Sequence, residues 1–245
     1  MKKIKIKSIQ PIQISPKIKN FIQNINYLIN NYVPEINEFP EKKLIRELVK
    51  CQEKINKKFG NKIIFNLINK ELKNIFKTKE FAVSDFILRY VKKDHKRLKP
   101  IILHQEKFYG DKTWENIYNL WIPIRNNNKN NSIKYIKNSH KFVEGQDYTI
   151  KEKSTFTKKK SNSHKLGMLY KEKKIIFLKK VKKENLYFKE KIIIFNGNIM
   201  HGSGLNRSNL PRISLDLRFM KKKDLKINNK SNSTNKRYFS ILSIK

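Results

Sequence analysis

Cysteine is almost absent from this chain, with one residue, Cys51, in 245. A lone thiol closes no internal disulfide, so packing must hold the fold, and the usage suits a reducing compartment such as the cytoplasm. Long apolar runs are missing too, which excludes a membrane-spanning helix. Met1 to Lys7 alternates lysine with isoleucine and lacks the apolar stretch of a secretory signal. Acidic residues are few, 20 against 57 basic ones, for a formal net charge of +37. Arginine is scarce as well: eight of the 57 are arginine and the other 49 lysine. Proteins that read phosphates and bases depend on arginine's planar fork. The lysine runs 158–160 and 221–223 are therefore read as solvated surface, and no specific nucleic-acid partner is expected. Lysine, asparagine and isoleucine rise together along the chain, as an AT-rich coding sequence would produce.

Hydrophobic residues make up 38% of the sequence, enough for one packed core, and the chain is read as a single domain over 1–245. Residues 1–82 read as mainly helical. Leu44, Ile45, Leu48, Val49, Ile55 and Phe59 recur at helical spacing, as do Ile64, Leu67, Ile68, Leu72, Ile75 and Phe76, with a weaker segment from Ile18 to Ile29. Gly60 between the two stronger segments reads as a helix stop. Residues 83–220 read as short strands: 86–91, 101–103, 118–124, 133–136, 175–178, 192–195 and 213–219. In the last of these Ile213, Leu215, Leu217 and Phe219 alternate with Ser214, Asp216 and Arg218, the period of a half-buried strand. Asn126 to Ser132 is a polar loop, and the basic stretch from Thr149 to Lys174 has the weak periodicity of a flap. Residues 221–245 form a polar tail in which Tyr238 to Ile244 returns as an edge strand. The order implies α+β, with the strands wound into a jelly-roll barrel and the N-terminal helices outside.

Glycine is also rare, and its placement is informative. Of seven glycines, Gly197, Gly202 and Gly204 flank His201, which implies close backbone approach around that histidine. His104 and Glu106, two apart, project to one side of a strand. With His201 from a distant strand they form a 2-His-1-carboxylate set, the facial triad of non-haem Fe(II) oxygenases, which leaves metal positions open for cosubstrate and oxygen. Arg212, in fixed register after His201, supplies a bidentate clamp for a carboxylate. A zinc hydrolase would need a general base that nothing here identifies, and would leave Arg212 without a purpose.

The segments Leu103-His104-Gln105-Glu106, Asn119-Leu120-Trp121-Ile122-Pro123, Asn138-Ser139-His140-Lys141 and His201-Gly202-Ser203-Gly204 through Arg212 resemble the phytanoyl-CoA dioxygenase superfamily. Within it they are most similar to bacterial Fe(II)/2-oxoglutarate oxygenases found with carbohydrate and antibiotic biosynthesis genes. The likeness spans residues 84–220. It implies a double-stranded β-helix (cupin-like) and a dioxygenase that couples decarboxylation of 2-oxoglutarate to hydroxylation, with Fe(II) and O2, of a small metabolite such as a sugar or polysaccharide precursor. By position, His104, Glu106 and His201 become catalytic iron ligands, while Arg212 and Ser203 hold the far carboxylate of 2-oxoglutarate. Asn119 falls on a strand beside the cosubstrate, Arg89 can reach a cosubstrate or substrate carboxylate, and Arg207 and Tyr109 can face substrate. His140 stabilises a turn and stays outside the triad. The chain departs from the family in having glutamate where aspartate is usual and Asn138 where glycine is favoured. Two other readings compete: an inactive cupin-like binding protein, and a basic binder of anionic surfaces or nucleic acid. The second explains the charge but not the triad.

Overall fold

The computed structural model of the chain describes residues 9–34, 39–93, 103–106, 114, 116–141, 148–152, 166–170, 183–225 and 239–244. The elements, in order, are β1 (Ile9–Gln13), α1 (Pro16–Tyr32), α2 (Glu41–Lys58), α3 (Gly60–Leu67), α4 (Asn69–Phe76), β2 (Glu80–Val83), β3 (Ile87–Val91), β4 (Tyr118–Arg125), β5 (Ile133–Tyr135), β6 (Tyr148–Glu152), β7 (Leu166–Tyr170), β8 (Glu184–Asn185), β9 (Lys191–Asn196), β10 (His201–Ser203), β11 (Arg212–Lys221) and β12 (Ser240–Ser243). The class is α+β with antiparallel pairing throughout the described sheets. One sheet has seven strands in the order β1-β9-β4-β11-β2-β12, with β3 also on β11. A three-stranded sheet runs β10-β5-β8, and β6 pairs with β7 in a separate ribbon.

The weak segment near Ile18 is a full helix. Ser15 caps α1 by accepting from Ile18 N–H, Pro16 occupies its first turn, and Ile18, Phe21, Ile25, Leu28 and Ile29 form its buried stripe. The stripe from Ile64 to Phe76 is divided between α3 and α4 at Ile68. Gly60 has φ +59, the left-handed turn that lets α2 end and α3 start in a new direction. The N-terminal part is not helical from the start, because β1 precedes α1 and pairs with β9 at the sheet edge. Pro11 lies inside β1, and an edge strand tolerates the missing N–H.

The helices cover one face of the large sheet. Phe21, Ile25, Leu44, Ile55, Phe65 and Phe76 pack on Phe81, Leu120, Ile122, Ile194, Leu217 and Phe219 in a single core. Phe76 lies edge-on to Phe81, Tyr118 and Phe219 at 4.8–5.7 Å between ring centroids. On the other face Trp121, Ile193 and Phe195 meet Ile133 and Leu186 from the region of the small sheet. β11 is therefore buried on both faces, and the half-buried reading is corrected: Ser214 and Arg218 are as enclosed as Leu215 and Leu217. Within the expected Tyr238–Ile244 return, Ser240–Ser243 forms the edge strand β12. Of the strand expected over 101–103, Leu103 is a bend and residues 101 and 102 fall outside the described residues, as do 175–178, Tyr109 and the rest of the Thr149–Lys174 stretch outside β6 and β7. No described helix is long and apolar enough to cross a membrane.

Cys51 is fully enclosed in α2, and burial pushes its thiol up to about 12. Ellman's reagent at pH 8 is expected to find no thiol in the native chain and one after unfolding in guanidinium. Prompt native labelling would contradict this helix packing.

Candidate metal centre

His104 and His201 face each other across an isolated antiparallel bridge. Each donates its backbone N–H to the other's carbonyl at 2.8 Å, which fixes the two side chains on one side of the backbone pair. The rings stand 4.5 Å apart between centroids. His104 thus sits on a single bridge, not the regular strand expected, and the backbone of Glu106 is anchored separately, its N–H donating to the Gly197 carbonyl at 2.8 Å. The three side chains converge: Glu106 Oε1 is 3.5 Å from His201 Nε2 and 3.8 Å from His104 Nε2. One ligand atom from each residue lies within 4.8 Å of the others, and all three are buried.

The donor set fits a divalent transition metal. His201 Nδ1 lies 2.7 Å from the Ile199 carbonyl, an acceptor only, so Nδ1 carries the proton and Nε2 presents its lone pair to the cluster. Burial by itself would raise the Glu106 carboxyl. The Arg218 guanidinium and the two histidines outweigh it and hold Glu106 well below the usual carboxylate range, ionised and ready to ligate. Asn119 Nδ2 donates to Glu106 Oε1 at 2.9 Å and stands 3.2 Å from His201 Nε2, while its Oδ1 has no partner.

Behind the triad the same pocket extends to Arg212. Its lining includes Arg89, Asn119, Trp121, Ser203, Arg212 and Ser214 together with the three candidate ligands. Arg212 is 1% exposed. Nη1 donates to the Asn131 carbonyl at 3.1 Å and Nη2 to Ser203 Oγ at 3.3 Å, while Nε has no partner. No carboxylate among the described residues forms an ion pair with it. Burial pushes its guanidinium down to about 10, which Asp216 opposes and Arg89 reinforces, leaving it charged at neutral pH. Arg89 reaches the pocket from β3 but is held bidentately by Asp216, at 2.9 and 3.1 Å. Arg207 is exposed and lies outside the lining of this pocket.

Sequence reasoning missed the residues that support the ligands. Arg218 lies six positions after Arg212 on β11, hence on the same face, and its Nε donates to Glu106 Oε2. The even spacing was a readable signal. Ser139 links the two ligand segments: its hydroxyl accepts from Met200 N–H at 2.7 Å, just before His201, and its carbonyl accepts from Gln105 Nε2 at 2.8 Å, between His104 and Glu106. Asn138 takes φ 61, a conformation asparagine tolerates, so it can serve the turn without glycine. The close approach expected of the glycines near His201 holds at Gly204, where a Cβ would lie 2.5 Å from the Ser132 carbonyl oxygen.

No family model matches the chain, and no curated protein matches it. Solved structures do. EctD from S. alaskensis with 2-oxoglutarate and 5-hydroxyectoine aligns at TM-score 0.52 and 12% identity, over 89% of this chain and 74% of that one. The epimerase SnoN in complex with Fe3+, alpha ketoglutarate and nogalamycin RO aligns at 0.51 and 8%, over 88% and 80%. The non-heme monooxygenase ThoJ in its nickel complex aligns at 0.50 and 10%, over 88% and 74%. The chain shares the fold of these three proteins.

Ser139→Ala would remove two buried hydrogen bonds of the hydroxyl, from Met200 N–H and to the Ile136 carbonyl, a cost of about 1–3 kcal/mol in all. Urea unfolding is expected to show that loss; a change below about 0.5 kcal/mol, the range of an ordinary surface substitution, would mean Ser139 does not tie the ligand segments together.

Proposed function

We propose that the protein is a mononuclear Fe(II)/2-oxoglutarate-dependent oxygenase, with the two sheets as halves of a double-stranded β-helix. One observation carries the reading: a single pocket holds a buried His-Glu-His set at one end and, at the other, a buried arginine that no carboxylate among the described residues pairs. His104, Glu106 and His201 would hold Fe(II) and leave its pocket-facing positions open. Arg212 and Ser203 would take the distal carboxylate of 2-oxoglutarate. Iron and cosubstrate, when bound, supply oxygen activation and the oxidation of a substrate C–H bond.

The chain's own residues set the geometry. Arg212 is already stripped of water, so an anion docking on it regains a strong charge-assisted pair without further desolvation of the guanidinium. Ser214 Oγ, buried in the pocket wall and without a partner, gives a bound oxygen a further contact. Asn119 keeps Glu106 Oε1 and His201 Nε2 facing one another, and its free Oδ1 can accept from a ligand. Arg89 retains Nη1 for a cosubstrate or substrate carboxylate while Asp216 holds the other side of its fork. Trp121 closes the floor against the sheet. The substrate is a small metabolite; the family likeness favours a sugar or polysaccharide precursor, handled in the cytoplasm.

Mixing the metal-free protein anaerobically with Fe(II) and 2-oxoglutarate is expected to give the weak visible charge-transfer absorption of their chelate. Glu106→Ala should abolish it. Arg212→Ala should raise the 2-oxoglutarate concentration required by about 30-fold or more, the effect of removing one partner of a buried charge pair worth about 2 kcal/mol. A folded wild-type protein without the absorption would refute the cosubstrate assignment.

A further inference from the structure

Glu106 is one methylene longer than aspartate, and two features of this chain fit the added length. A Cβ on Gly197 would lie 2.7 Å from Glu106 Cγ, so glycine there leaves the space that the longer side chain fills. The two carboxylate oxygens also have different surroundings. Oε1 accepts from Asn119 at 2.9 Å and faces His201 and His104 at 3.5 and 3.8 Å. Oε2 points the other way and accepts from Arg218 Nε. Arg218 is itself fixed, 4% exposed, with its backbone N–H donating to Ser84 Oγ at 2.9 Å.

We propose that Arg218 is a positioning residue: by engaging Oε2 it turns Glu106 so that a divalent cation meets a single carboxylate oxygen, Oε1. The inference rests on the metal-site reading given above. A glutamate has one more rotatable bond than an aspartate and can swing both oxygens onto a cation; a two-oxygen grip would consume a coordination position that a bidentate cosubstrate needs. Arginine suits the task because its planar fork fixes the direction of the carboxylate as well as its charge. Gly197 on one side and Arg218 on the other leave the longer acid one orientation.

Cobalt(II) tests this without turnover, because its visible absorption reports coordination number. Wild-type protein is expected to bind Co(II). In Arg218→Met the Kd should rise by about 10–100-fold, the usual effect of losing a group that orients a ligand, with a changed absorption intensity. Arg218→Lys keeps the charge but not the fork and should fail to restore the wild-type spectrum; it decides the matter if Arg218→Met does not fold. A folded variant with wild-type or tighter affinity and an unchanged spectrum overturns the proposal alone, leaving Arg218 as a buried counter-ion. Wild-type protein that binds no Co(II) overturns the metal-site reading and this proposal with it.

Discussion

A charge withdrawn from water must find a partner inside the protein, and β11 carries three on one face. Because helices cover one side of the large sheet and the pocket lies on the other, β11 is enclosed on both. Its alternation sends Ile213, Leu215, Leu217 and Phe219 to the helix side and Arg212, Ser214, Asp216 and Arg218 to the pocket. Arg218 pairs with Glu106 and Asp216 with Arg89. Arg212, alone of the three, has hydrogen bonds but no ion pair among the described residues. The strand therefore works as a ruler, with the metal end and the anion end set by residue spacing.

The candidate ligands are held mostly by backbone. The paired hydrogen bonds between His104 and His201 set the distance between their two segments, and Gly197 accepts Glu106 N–H where no side chain could be accommodated. Ser139 and Gln105 then join the two segments from behind. Such an arrangement fixes the backbone from which the histidines project, and the Ile199 carbonyl orients the His201 ring, as a preorganised metal site requires.

Much of this was legible before any coordinates. The helical stripes, the alternation over 213–219 and the His-x-Glu pair are short-range patterns, and the structure keeps them with changes: it divides one stripe between α3 and α4, encloses both faces of β11 and sets His104 on a single bridge. Ser203 and Arg212 meet, as their positions implied. What escaped is long-range. β1 was hidden by its proline and by its partner, β9, nearly 180 residues away. The roles of Arg218 and Ser139 became clear only when the elements were stacked, since β11 looked like a strand with one solvated face. The lysine excess explains none of these contacts.

The most direct measurement is a crystal structure of the protein loaded anaerobically with Fe(II), with diffraction recorded on both sides of the iron absorption edge. A single anomalous peak at coordination distance from His104 Nε2, His201 Nε2 and Glu106 Oε1, with Arg212 across the pocket, is the predicted result. A peak elsewhere, or density in which these side chains turn to separate neighbours while the fold is intact, would contradict the account.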